Sequence, residues 1–482
     1  MIKNKLYFYI FFLLFPINLS GEINYSHSGY GIATTVNRLS DGSIIKLPYR
    51  MLTYETTLNY NNFNLITSSA LEFHLKNQLK KSKLNIDFRE IYLEWLTPLA
   101  DFTLGKQIIS WGAVSENNPT DNISPYNYYY LFSIGKERKQ GILSFNSNIY
   151  LNDIRLNTIF IPKHSPNLLP LNDPEFAISS PIIPKEEQIM DLKESYEYGF
   201  SLNIPINYID LTFSYFSGYD KTVSFFGANI WSDQAFNLAS VIPDTILSYR
   251  KTDVFGLGYS ALFGDFAFKT DFGFFNTYDN INDKDDLRRI YVDGINNIIE
   301  FCLESNAAIE EDFLSPIDCT DEPQIEEILK IDNTAKYYQY NLELEFSPNS
   351  DFRIISQYLN QKNIEFGEAD SLQLSTGKIL LDPREFFISG LGSPNTFIST
   401  NSLTVLIQKQ FPDKNIELRY TGLFDLDSHG ALNELGIEYK INSSTNLLIA
   451  LNKIIADNDI DMNPFSSMEN FSHFRMELKY YY

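Results

Sequence analysis

The stretch SHFRMELKYYY, residues 472–482, alternates strictly along its length. Phe474, Met476, Leu478, Tyr480 and Tyr482 fall on one side, and His473, Arg475, Glu477, Lys479 and Tyr481 on the other. A period of two over ten residues describes a strand with one apolar and one polar face. In a sandwich the apolar face meets a core, whereas in a membrane barrel it meets lipid. The segments around it decide between them.

The same pattern fills the chain. SYEYGFSLNI (195–204) sets Tyr196, Tyr198, Phe200, Leu202 and Ile204 against Glu197, Gly199, Ser201 and Asn203. DFAFKTDFGF (265–274) sets Phe266, Phe268, Phe272 and Phe274 against Ala267, Lys269, Asp271 and Gly273. YYQYNLELEF (337–346) sets Tyr338, Tyr340, Leu342, Leu344 and Phe346 against Gln339, Asn341, Glu343 and Glu345.

The links between strands alternate in length. Short ones at 59–62, 97–100, 204–207, 263–265, 347–350, 412–415 and 442–445 join pairs into hairpins, while long segments at about 112–138, 163–193, 217–250, 277–335 and 360–396 separate the pairs. Short periplasmic turns and long extracellular loops are the signature of an outer-membrane barrel, and a soluble sandwich gives no reason for the asymmetry. The expected fold is therefore all-β: a single antiparallel transmembrane β-barrel of about 18 strands, with 16 the nearest alternative. An even count puts both ends in the periplasm.

Composition agrees with this class. Fifteen per cent of the 482 residues are aromatic, with 31 Tyr and 38 Phe. A mean hydropathy of −0.19 is compatible with the membrane, because lumen-facing residues dilute the lipid-facing ones. The net charge of −23 argues against nucleic acid as a partner. Residues 277–335 hold sixteen acidic against four basic side chains, about half of that excess. They also hold Cys302 and Cys319, expected to form a disulfide in an exported chain. The acidic spacing fits no defined calcium loop, so solvated charge is the expectation and no metal or other cofactor is assigned.

At the amino end, Lys3 and Lys5 precede an apolar run over residues 6–15. The run is well short of the ~20 residues of a spanning helix and reads as a secretory signal. The expected division is a signal peptide at 1–20 and an outer-membrane barrel over 21–482.

Charged residues opposite Phe or Leu must face the lumen, since a Lys or Arg facing lipid at mid-membrane costs ~2–4 kcal/mol. This places Lys269, Asp271, Glu343, Glu345, Arg353, Glu417 and Arg419 inward as pore-lining candidates, with Asp210, Glu438, Lys440, Arg475, Glu477 and Lys479 on the same face. They either line a wet channel or pair across strands to stabilise a filled barrel, and about eighteen strands favour the channel.

Residues 89–132 resemble the hairpin of porin-like outer-membrane barrels of uncharacterised function from Gram-negative bacteria. Arg89, Tyr92, Leu93 and Trp95 match its first strand, Gly105, Lys106, Gln107, Trp111 and Gly112 its second, and Asn118, Pro119, Asp121 and Pro125 the loop that follows. The resemblance implies a pore or transporter of small-molecule solutes in the cell outer membrane, contacting outer-membrane lipid and lipopolysaccharide. In one reading the loop folds into the lumen as a constriction with Trp111, Asn118 and Asp121 at its mouth. In the other, Trp111 joins an interfacial aromatic girdle and Asp121 caps a turn. The ending Leu478, Tyr480, Tyr482 likewise resembles the carboxy-terminal signal read by the barrel assembly machinery, with Tyr in place of the commoner Phe.

The functional expectation is a channel for passive diffusion of small solutes, with a transporter of hydrophobic molecules, or a closed barrel with surface-binding loops, as alternatives. Lipid-facing aromatics leave a homo-oligomer open. Five histidines, at 27, 74, 164, 429 and 473, form no catalytic signature in the sequence, and DSHG around His429 reads as a turn. An enzyme is not expected.

Overall fold

The computed structural model describes residues 23–74, 84–131, 133–170, 173, 175, 184–232, 242–279, 281, 283–287, 324–374, 377–457 and 463–482. The expected signal peptide, both cysteines and most of the acidic stretch lie outside them.

Eighteen strands close into one antiparallel barrel. In chain order the first nine are β1 (Asn24–Arg38), β2 (Tyr49–Tyr60), β3 (Phe63–Phe73), β4 (Leu84–Leu96), β5 (Ala100–Gln107), β6 (Ile142–Leu151), β7 (Ile154–Ile161), β8 (Glu197–Ile206) and β9 (Ile209–Tyr219). Two loop strands follow, β10 (Ser224–Ser232) and β11 (Ile242–Ser248), and they pair with β14 (Gln324–Lys330) in a small separate sheet. The barrel continues through β12 (Lys251–Phe263), β13 (Phe266–Tyr278), β15 (Ala335–Asn349) and β16 (Phe352–Phe366). A loop hairpin, β17 (Asp370–Leu374) and β18 (Gly377–Leu381), precedes the last five barrel strands. These are β19 (Asn401–Phe411), β20 (Ile416–Asp425), β21 (Ala431–Asn442), β22 (Thr445–Ile455) and β23 (His473–Tyr481). Pairing of β1 with β23 shuts the ring, Tyr30 opposite Tyr481 and Arg38 opposite His473.

The short links lie at one rim, and the structure adds an eighth at 152–153 that the sequence reading passed over. Several turn on an asparagine in the left-handed region, such as Asn61 (φ 51°), Asn152 (57°) and Asn207 (56°). Asn tolerates that conformation because its short polar side chain bonds locally. The long connections gather at the opposite, extracellular rim: 108–141, 162–196, 220–250, 279–334 and 367–400, with shorter ones at 39–48, 74–83, 426–430 and 456–472. His429 sits in the 426–430 link with φ 55°, as a turn residue.

Outward faces are apolar and exposed, as lipid requires. On β4, Ile86, Phe88, Ile91, Leu93 and Trp95 all point out, and on β23 so do Phe474, Met476, Leu478 and Tyr480. Phe63, Trp95, Phe102 and Phe145 form a chain of ring contacts at centroid distances of 6.1, 5.4 and 6.2 Å, part of an aromatic girdle. The hydroxyl of Tyr482 donates to the Thr53 carbonyl at 2.6 Å, seating the last residue across the closing seam.

The core lies inside the barrel. One cluster joins Trp111, Ile123, Ile142, Phe216, Phe275, Tyr337 and Leu391, with the Phe275 and Tyr337 rings parallel at 4.5 Å. A second joins Tyr126, Tyr128, Leu131, Leu423, Leu432, Ile454 and Phe465. Both consist of inward strand residues near the extracellular rim packed on infolded loops. The ring is wide enough for such filling, and the loops supply it.

Candidate functional site

Loop 108–141 leaves β5 and enters the lumen. It starts with a tight turn at Gly112 (φ 119°), where a Cβ would stand 2.3 Å from Asn118 Cγ, so only glycine fits between Trp111 and Asn118. The Asn118 amide donates to the Val114 carbonyl at 2.8 Å and closes the turn from within.

A loop inside a barrel must find acceptors for its backbone N–H groups, since buried unpaired donors are costly. Lumen carboxylates provide them. The N–H groups of Ala113 and Val114 donate to Asp271 at 2.6 and 2.7 Å, and Thr120 Oγ1 donates to its other oxygen at 3.2 Å. The Ser115 N–H and hydroxyl both donate to Glu343 at 2.7 Å. Lys269 and Gln357 also donate to Glu343, at 2.9 and 2.7 Å. Asn341 and Gln357 complete the seat by donating to the Asn117 and Glu116 carbonyls at 3.0 and 3.1 Å.

The far end of the loop is fastened elsewhere. Glu137 accepts from Arg50 at 2.7 Å and Arg89 at 3.1 Å. Arg50 also lies 3.8 Å from the Tyr130 ring centroid, and the Tyr130 hydroxyl donates to Glu72 at 3.0 Å. Burial pushes the Glu137 carboxyl up, but the guanidiniums of Arg89 and Arg50 outweigh it and hold the group below its usual range. With eighteen strands in the ring, β3 and β15 are nine apart. The loop therefore spans the bore between opposite walls.

A cavity of about 440 Å³ lies between the loop and the wall of β1, β2 and β21–β23. Tyr129, Tyr130 and Glu137 bound it from the loop, and Tyr30, Ile32, Val36, Glu434, Arg475 and Lys479 from the wall. Arg475 is braced by Glu434 at 3.0 Å and Glu477 at 3.3 Å. This volume falls within the roughly 300–1,000 Å³ of ligand sites.

The geometry is that of an outer-membrane β-barrel with an internal crossing loop. No protein-family model matches the chain, and none of the curated proteins does. Solved structures match over nearly the whole chain. OpdK from Pseudomonas aeruginosa is 8% identical with TM-score 0.47, covering 95% of this chain and 99% of its own. OccAB1 from Acinetobacter baumannii is 8% identical with TM-score 0.47, covering 96% and 98%. Salmonella typhi OmpF, solved with daunomycin, is 8% identical with TM-score 0.39, covering 95% and 97%. The reading of the site rests on its own geometry.

That geometry sorts the residues singled out from sequence. Trp111 lies inside, its indole N–H donating to Asn157 at 2.9 Å, while Trp95 occupies the girdle. Asp121 is buried, accepting from the Trp111 N–H at 3.2 Å and paired with Lys139. Trp111, Asn118 and Asp121 thus stand in the root of the loop, where they shape it, and the cavity lies beyond them. Asp271 and Glu343 face inward as strand parity requires, and the loop covers both at 1% and 0% exposure, because its N–H groups need their oxygens. Lys269 bridges Glu343 and Glu345 at 2.9 and 3.5 Å, and Arg353 braces Glu345 at 2.7 Å. Glu417 accepts from Gln408 at 2.8 Å, and Arg419 is half-buried beside it on β20.

The sequence reading named Arg475, Glu477 and Lys479 as inward but did not group them with Arg50, Tyr130 and Glu137. Arg50 and Glu137 are 87 positions apart, and no local pattern joins them. A single hint was available: the R-x-x-Y-L-x-W strand carries Arg89, an inward charge beside an aromatic-rich loop.

Proposed function

We propose that the chain is an outer-membrane channel passing small solutes by diffusion, along the side of the lumen that the crossing loop leaves open. The cavity between Tyr130 and Glu137 on the loop and Arg475 and Lys479 on the wall carries the reading. A loop tied at both ends sets a fixed constriction, and charged groups facing one another across it tune selectivity. The path needs no energy source and no catalysis. The constriction is assigned to the Tyr130–Glu137 segment, with Trp111, Asn118 and Asp121 holding its base.

Single-channel recording of refolded protein in a planar bilayer tests this. Discrete conductance steps are expected, with a reversal potential in a salt gradient that shifts when Arg475 is replaced by Gln. A correctly folded but silent barrel would overturn the proposal. The alternative of hydrophobic transport draws on one observation, the inward placement of Tyr30, Ile32 and Val36 in the same cavity. Outward aromatics suit contact with lipid or with another copy of the chain, which light scattering of the purified protein distinguishes.

A further inference from the structure

β1 alternates the wrong way round for a lipid-facing strand. Gly29, Gly31, Ala33 and Thr35 share the outward parity of Leu478 and Tyr480, their neighbours on β23, while Tyr30, Ile32 and Val36 turn into the lumen. The register sets this column, apolar but for Thr34, beside a charged one: Val36 opposite Arg475, Thr34 opposite Glu477, Ile32 opposite Lys479. Adjacent strands lie about 4.8 Å apart, so the columns form one two-sided surface. From Ile32 to Val36 the apolar side runs ~13 Å at the usual strand rise.

The charges on that surface are unequal in their partners. Glu434 and Glu477 both pair with Arg475, and Glu137 pairs with Arg50 and Arg89. Lys479 has no carboxylate within ion-pair distance among the described residues. Its neighbours across the strands are Ile32 and Asn446, and its ammonium lies 3.7 Å from the Tyr30 ring centroid and 4.9 Å from that of Tyr481. The cavity thus presents an apolar strip ending at one uncompensated cation held against aromatic rings.

We infer that this surface selects amphipathic monoanions, solutes with an apolar body of up to about 13 Å and a single carboxylate-like head. The body lies along Val36 and Ile32, excluding water from side chains that otherwise stand half-wet in the lumen. The head pairs with Lys479, whose contact with Tyr30 it replaces or shares. A cationic head meets repulsion at Lys479 and finds the cavity's carboxylates already paired. A small anion without an apolar body gains the head contact alone. The inference deepens the channel reading and takes its cavity from it.

The test uses the full refolded protein in neutral phosphatidylcholine nanodiscs, with protein-free discs as blank and 4-phenylbutyrate as probe. Calorimetry is expected to show saturable binding of 4-phenylbutyrate, at least tenfold tighter than butyrate or 4-phenylbutylammonium. Lys479→Gln and Ile32→Ser should each weaken it at least tenfold, and Lys336→Gln, remote from the cavity, should leave it unchanged. Equal binding of the ammonium analogue, or unaltered affinity in both cavity variants, overturns the inference. Planar-bilayer recording separates the two readings. Conductance steps without probe binding sink the anion selectivity and leave the channel. Saturable, Lys479-dependent binding by a silent barrel sinks the channel and supports the ligand class.

Discussion

On the wall built from β13, β15 and β16, inward carboxylates accept backbone N–H groups from the crossing loop and are sealed beneath it. On the wall built from β1 and β23, inward charges pair with one another or, at Lys479, rest on aromatic rings beside open space. β15 and β23 read alike in sequence, as polar residues alternating with Phe, Leu, Met or Tyr. A lumen charge acts as a fastener when a loop's N–H reaches it and as a lining when none does. Charge counts along strands therefore overstate how much of a barrel is pore.

Breaking the fastened side should have the largest effect. Asp271→Ala together with Glu343→Ala removes the acceptors of three loop N–H groups, each costing about 1–3 kcal/mol when left buried and unpaired. The loop should detach from β13 and β15, raising single-channel conductance severalfold and exposing residues 113–121 to protease. Unchanged conductance with unchanged proteolysis would mean that the loop is held by its other end alone.

Asp121→Asn comes next. It leaves Lys139 buried without its carboxylate, a change that costs about 3–5 kcal/mol in comparable buried pairs. Burial already pushes the Lys139 amine down and Asp121 pulls it back up, so the variant's lysine should lose its proton at lower pH. The expected readout is lower resistance to urea with noisy current. A clean shift in ion selectivity at full stability would instead put Asp121 at the pore.

The Glu137 clamp gives a pH dependence of known sign. A carboxyl held low in the folded state contributes stability above its unfolded pKa, about 4.3 for Glu, and loses it as pH falls through the lower folded value. Conductance should stay flat from neutral pH through the ordinary carboxylate range and change only below it, and Glu137→Gln should show the acid behaviour at neutral pH. A transition near pH 6 would assign the clamp to another group. The smallest effect belongs to Arg353→Gln, whose partly exposed pair with Glu345 is worth under ~1 kcal/mol. It should alter reversal potential less than Arg475→Gln does, and a larger shift would reverse the assignment of the two walls.

The strands were legible because lipid enforces a period of two, as in Phe474 to Tyr482, broken only at bulges such as the one at Arg89 and Glu90 on β4. The hairpins were legible through their link lengths, and the one overlooked, at 152–153, is a two-residue turn between strands of mixed polarity. The loop's destination was not legible. Asp271 and Glu343 differ from Glu345 only in what lands on them, and that is settled by Gly112 and the turn it permits. The inverted faces of β1 appear only once pairing with β23 fixes which side is lipid. The expected Cys302–Cys319 bond lies outside the described residues.

The loop is a crosspiece tied to β2–β4 at one end and β13–β16 at the other. It acts as a transverse brace, resisting flattening along its own axis and leaving the perpendicular direction compliant. Lateral pressure in the bilayer would then deform the bore anisotropically, widening or narrowing the free crescent beside β1 while the braced diameter holds.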